Sequence, residues 1–326
     1  MQKLRVLNII LLAVGMALLN GCGDESLEEM EQRAEQEVAQ EMAEQFGDDE
    51  SFQWDEDHKT DDSHGSYEYS EIGGSSGSLD GTVAVVTILV DDAVNVWDIE
   101  NSQKDQQTFD TVYNDVKIGC EWITKACAEY GRDVSFVWDW DQHEELIYDV
   151  SVNGDASKDD NGIYDEIQSF IRADIDSEGI KKSLGANGII YLACVNTPPS
   201  NTNTSMTRMW EYYNPIYEEV CLMRMYCDGE LEPPSCFAHE MLHTFGAADL
   251  YEEGMYGITS EYVEYAESIN LNDIMRTNDD PKTESYVYDR IPNKITDITA
   301  YYIGLTDHSE TVDEWGFEPS QYAYGE

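Results

Sequence analysis

The sequence predicts a mixed α/β fold with a largely parallel sheet, on three observations. Residues 82–90 (TVAVVTILV) form an unbroken, β-branched apolar run between Gly81 and Asp91, the pattern of a strand buried on both faces. Residues 104–130 carry Phe109, Val112, Val116, Cys120, Ile123 and Cys127 at helical spacing and stop at Gly131. Beyond them the order continues as a strand (133–140, with Val134, Phe136 and Trp138 on one face), a helix (163–175) and a nearly all-apolar strand (187–195). Strand, helix, strand, helix, strand is the order from which a parallel sheet is built, because parallel neighbours need crossover connections.

What precedes that core reads as an address and a tether. Lys3 and Arg5 stand before an apolar run at 6–19, short for a membrane span and suited to a signal peptide. The run ends in Leu19-Asn20-Gly21-Cys22, which resembles the bacterial lipobox and so implies a lipoprotein signal peptide over 1–22 with Cys22 as the lipidated residue; an ordinary secretory signal is the alternative. The expected location is therefore the bacterial cell envelope, anchored on the extracytoplasmic side of a membrane. Residues 23–80 hold 20 Asp and Glu against only Arg33 and Lys59 and end in a Ser-Gly-rich stretch. Such a composition cannot offset the entropy of ordering, so a disordered acidic tether is expected. A pro-segment whose His58, His64 or a carboxylate blocks the site is the alternative.

The whole chain of 326 residues has a formal net charge of −50. That excludes nucleic acid as a partner, since phosphate contacts need Lys and Arg, and it favours a soluble monomer. Six cysteines remain beyond Cys22: 120, 127, 194, 221, 227 and 236. An even number in an exported chain suggests disulfides of unassigned pairing. Cys120 and Cys127 share a helix about 10 Å apart by its rise, too far to pair with each other.

Between the core strands and the C-terminal part, residues 155–166 (DASKDDNGIYDE) invite a calcium reading. Aligning Gly162 with the EF-hand glycine puts Ser157 first and Gln168 last, where Asp and Glu belong, so a polar loop is expected instead. Residues 197–205 read as a surface loop, and 206–213 and 218–226 as two shorter strands. One of these, as an exposed edge, would suit a peptide added as a strand.

The chemistry concentrates in residues 239–251 (HEMLHTFGAADLY). On a helix, His239 and His243 stand one turn apart on one face and can share a zinc ion, with Glu240 within reach of its water. Pro233 and Pro234 suit the helix start, and Gly246 suits a turn that returns Asp249 as a third ligand. A rival third ligand is a Glu about twenty residues on: Glu261, Glu264 or Glu267, with Glu264 the preferred one. Cys236, one turn before His239, is either a thiol near the metal, half of a bridge to Cys221 or Cys227, or a buried thiol.

Together with Asn272-Asp273-Ile274-Met275, the pattern H-E-x-x-H-x-x-G-x-x-D resembles the metzincin-type zinc metallopeptidases, in particular the snapalysin-like members with an aspartate ligand. The ending G-x-x-D-L-Y is similar to immune-inhibitor-A-like bacterial peptidases. The resemblance covers residues 235–305. It implies Zn²⁺ on His239, His243 and Asp249, Glu240 as general base, and Met275 in a Met-turn beneath the metal. It also implies a metallopeptidase domain over 81–326, divided into an upper subdomain (81–246) with the active-site helix and a lower one (247–326), where 295–305 reads as a helix. Some members place a Tyr two residues after the turn methionine to stabilise the oxyanion; Thr277 stands there, so that role has no candidate. The expected activity is that of a zinc metalloendopeptidase, a hydrolase acting on a protein or peptide substrate. The alternative is a non-catalytic surface lipoprotein with a structural zinc, which has no need of Glu240.

Overall fold

The computed structural model describes residues 74–158, 161–209, 218–254 and 257–317, all within one compact unit, Glu68–Glu326. The signal segment, Cys22, His58, His64 and most of the acidic tether lie outside the described residues. The fold is a mixed α/β one with a largely parallel central sheet.

At the centre runs β1 (Gly81–Asp91), whose residues 83–90 are all buried, as expected of a β-branched apolar run. One of its sides pairs, parallel, with β4 (Gly188–Val195). The other side is shared by β2 (Val134–Val137) at the start of β1 and β3 (Ile147–Ser151) at its end, both parallel. Beyond β4 lies β6 (Val220–Arg224), parallel, and then β5 (Met206–Arg208), antiparallel at the sheet edge. The strand expected over 133–140 stops at Val137, and β3 was not anticipated because Asp149 and Ser151 break its apolar pattern. Of the strands expected over 206–213 and 218–226, only these short cores form; 210–217 lie outside the described residues. Asp228 (φ 49°) and Gly229 (φ 92°) turn the chain between β7 (Tyr226–Cys227) and β8 (Glu230–Leu231), the left-handed pair that Asp-Gly favours in a two-residue hairpin.

Helix α1 (Gln103–Glu129), capped by Ser102, packs on α4 (Pro234–His243). Gly119 permits that approach, since a Cβ there would stand 2.8 Å from Met241 Cε. Helix α2 (Asn161–Asp174) packs on β6, and α3 (Ser177–Leu184) on β1 and β4. Helix α3 escaped the sequence reading because Gly179 sits in its first turn, where Asp176 caps it through the Gly179 amide. Three short helices close the chain: α5 (Ser260–Ser268), α6 (Asp297–Tyr302) and α7 (Glu310–Trp315). Helix α6 is the core of the one expected over 295–305, while α7 is set by Ser309 and Gly316 as caps.

Three expectations are corrected. Residues 155–166 are not one polar loop: α2 begins at Asn161, Asp155 pairs with Lys158 at 2.9 Å, and no carboxylate cluster forms there among the described residues. No disulfide links the six cysteines; all are free, five of them buried. Cys194 and Cys221 lie on adjacent strands, but Cys221 is in register with Leu192, two residues off. Strand geometry then separates them by about 8 Å, outside the roughly 7 Å a bridge spans. The end of the expected tether, finally, is packed structure. Ser76 donates its hydroxyl toward Ile189 O and Thr244 Oγ1, both at 2.8 Å, and Leu79 joins the core. Gly74 sits so close to Thr244 that a Cβ would come within 2.2 Å of its carbonyl oxygen.

Candidate metal centre

Helix α4 carries the site. Its first turn begins Pro233-Pro234, where a missing amide hydrogen costs nothing, and every one of its residues is buried. Burial on all faces makes its polar residues conspicuous: Ser235 bonds Asn278 O at 2.7 Å, and His239, Glu240 and His243 remain for chemistry. The helix ends at Thr244, and Gly246 takes φ 97°, a value that favours glycine. The chain reverses there, with the Ala247 amide returning to Leu242 O at 3.2 Å, and delivers Asp249 to the two histidines.

Three donor atoms converge. Nε2 of His239 and Nε2 of His243 are 3.2 Å apart, and Asp249 Oδ1 stands 3.1 Å from the first and 3.3 Å from the second. A tetrahedral zinc with bonds of about 2.0–2.1 Å would hold its donors about 3.3–3.4 Å apart, so the triangle is close to the size such an ion needs. The histidine tautomers also suit it. His239 Nδ1 lies 2.9 Å from Ile274 O, and His243 Nδ1 lies 2.9 Å from Ala247 O. Carbonyls only accept, so each Nδ1 carries its ring's proton and each Nε2 presents a lone pair. Asp249 Oδ1 has no hydrogen-bond donor when both rings are neutral. A neutral-ring site therefore gathers three lone pairs that need a proton or a cation between them.

The electrostatics express the same demand. Burial lowers the proton affinity of both rings, but the Asp249 carboxylate more than reverses this, raising His239 and carrying His243 up to about 9. Burial likewise opposes ionisation of Asp249, and the imidazoles overcome it, holding its carboxyl far below the usual range. A divalent cation would satisfy the same atoms while releasing those protons.

Glu240 is buried beside the triad, its Oε2 2.7 Å from the hydroxyl of Thr207 on edge strand β5. Met275 is fully buried, and its turn braces the site through its backbone: Ile274 O receives His239, and Met275 O receives the Leu250 amide at 2.9 Å. Asp273 fixes that turn by accepting the amides of Met275 and Thr296 and the hydroxyls of Thr296 and Thr299.

The structure thus brings together His239, His243 and Asp249, with Glu240 and the Met275 turn adjacent. It leaves Glu261, Glu264 and Glu267 exposed on α5, and among the described residues only the His–His–Asp group meets the geometry of a metal cluster. Cys236 is a buried thiol whose acidity burial suppresses well below normal, which disfavours a thiolate ligand. Sequence reasoning missed Thr207, Asp273 and Tyr251. The Tyr251 ring stacks on His239, 6.1 Å between centroids and 26° from parallel, within reach of the charge of Asp249. Burial, followed by the charges of Asp249 and Glu240, pushes its phenol far up, so it stays protonated and can donate. Its place in D-L-Y, two residues past the aspartate, was the available signal.

No family model matches the chain, and no curated protein or solved structure matches it either.

Proposed function

We propose that the chain is a zinc-dependent endopeptidase of metzincin type, with His239, His243 and Asp249 as the metal ligands. The observation that carries this reading is the triangle of lone-pair donors, 3.1–3.3 Å on a side, with both histidine tautomers fixed by backbone carbonyls. Zinc bound there would supply Lewis-acid activation of water and polarisation of the scissile carbonyl. Glu240 takes the proton of the attacking water and returns it to the departing amine, while Thr207 holds its carboxylate in place. Tyr251, protonated and half-exposed at the site, donates a hydrogen bond to the oxygen that gains charge, the role for which the sequence supplied no candidate. The antiparallel edge strand β5, which carries Thr207, is the natural place for an extended substrate to add as a strand.

The sheet order and the turn at Met275 support a metzincin-like arrangement. The lipobox-like ending at Cys22 supports attachment to the extracytoplasmic side of an envelope membrane through acyl chains on that cysteine. Among the described residues, no helix is long and apolar enough to cross a membrane. The test is a peptide-library digest with the zinc-loaded protein. Internal cleavage is expected; stoichiometric zinc without any cleavage would leave the non-catalytic lipoprotein with a structural zinc.

A further inference from the structure

The strap at residues 74–79 ends on the helix that carries two of the metal ligands. Ser76 donates its amide to Thr244 O at 3.0 Å, and its hydroxyl lies 2.8 Å from both Thr244 Oγ1 and Ile189 O. Thr244 Oγ1 in turn lies 2.8 Å from Met241 O. One proton sits between the two hydroxyls, and the other is donated to Met241 O or to Ile189 O. Ser76 is only 1 % exposed and Thr244 is fully buried, so water does not compete for these contacts.

These contacts complete the turn on which two ligands depend. Past His243 the chain closes most of its own hydrogen bonds: Thr244 N returns to Met241 O, Phe245 N and Ala247 N to Leu242 O, and Gly246 N to His243 O. Thr244 O differs, because its donor comes from the strap, 168 positions away. A carbonyl at a helix end has no partner within the helix, and here the strap supplies one. The turn then does two things. Ala247 O receives His243 Nδ1 at 2.9 Å, and Gly246, at φ 97°, sends the chain back to Asp249. A displaced Thr244 therefore moves one imidazole and the carboxylate together, while His239 stays held by Ile274 O. Such a site tolerates displacements of only about 0.5 Å.

The strap is itself firmly seated. Ser75 donates its amide to Glu219 Oε2 at 2.7 Å, and its hydroxyl accepts the Glu219 amide at 3.1 Å. A Cβ on Gly188 would come within 2.3 Å of Ser76 O. One on Gly74 would come within 2.2 Å of Thr244 O and 2.4 Å of the carbonyl carbon, backbone atoms that cannot swing aside.

We propose that Ser76 is a positioning residue for the metal centre: acting through Thr244, it fixes the turn that aims His243 and Asp249, so the strap sets zinc affinity as well as stability. The inference rests on the zinc reading of the triad.

The test is the zinc affinity of the full-length protein by chelator competition, with a melting curve for each variant. Gly74→Ala, which pushes the strap off Thr244, should weaken zinc about tenfold, the low end for groups that support metal ligands. Ser76→Ala keeps the backbone contact and should weaken it about threefold. Thr244→Val should lose at least as much as Ser76→Ala, and the double variant no more than Thr244→Val alone, since both remove the same contact. Thr244→Ser keeps the hydroxyl and should bind like the wild type. Ile180→Val, buried on α3, is the stability control: it should lower the melting temperature and leave zinc affinity unchanged. Wild-type affinity in the folded Ser76→Ala and Thr244→Val proteins, or an equal loss in Ile180→Val, overturns the inference and leaves the zinc reading intact. A wild type that binds no zinc overturns both.

Discussion

Two buried aspartates, Asp249 and Asp273, frame the site and have opposite surroundings. Asp273 is saturated by two amides and two hydroxyls, yet its carboxyl still rises above the usual range, because burial outweighs four neutral donors. Asp249 has no such donors on Oδ1, faces two imidazoles, and falls far below that range. At Asp273 four neutral donors do not offset burial, whereas at Asp249 the two facing imidazoles more than offset it. Asp273 is accordingly a bracket for the Met275 turn, and Asp249 is one wall of a seat for a cation.

That contrast can be broken by mutation. The largest effect is expected for Asp249→Ala, which should lower zinc affinity at least about 100-fold in a chelator competition by removing one of three ligands. Glu264→Ala should leave affinity unchanged; the reverse ranking would move the third ligand to α5. Asp273→Ala should instead destabilise the fold, by about 3 kcal/mol in denaturant titration, because it strands buried amides and hydroxyls. The molecules that remain folded should still bind zinc. If Asp273→Ala removed zinc without loss of stability, the division of roles would be wrong.

A smaller effect tests the strap at the N-terminal edge of the sheet. Gly74→Ala, which forces residues 74–79 off Thr244 beside the last metal ligand of α4, or a chain beginning at Gly81, which lacks those residues and their contacts, should cost about 1–2 kcal/mol. Equal stability of the two chain lengths would return those residues to the tether. The mildest prediction concerns pH. His243 of the metal-free site holds its proton up to about 9, so protons compete with zinc below that value. Apparent affinity should rise with pH up to about 9 and level off above it, with proton release on binding measurable by calorimetry in buffers of different ionisation enthalpy. Affinity independent of pH between 6 and 9, roughly the interval from the free-imidazole value upward, would contradict the proton-for-metal exchange.

Much of this was legible because its signals are local. The β-branched run of β1, the helical spacing of α1 and the sequence H-E-x-x-H-x-x-G-x-x-D each lie within one stretch of chain, and Gly246 announces a turn by its residue type and place alone. What escaped depends on contacts distant in sequence. Thr207 reaches Glu240 from 33 positions away, and Ser76 reaches Thr244 from 168, so neither carries a mark in its own segment. Asp273 sat inside the quoted Asn-Asp-Ile-Met run, but its partners Thr296 and Thr299 belong to the region of α6. The cysteines misled because their even number in a chain read as exported suggested bridges, whereas each of the five buried thiols serves as a small apolar core residue.

The central claim is that the His–His–Asp triangle is a catalytic zinc centre served by Glu240. The most direct test counts metal and measures peptide cleavage together, in the wild type and in Glu240→Ala. The account predicts one zinc per chain in both proteins and cleavage only in the wild type. A wild type that binds no zinc, or a Glu240→Ala protein that cleaves as fast as the wild type, would contradict it.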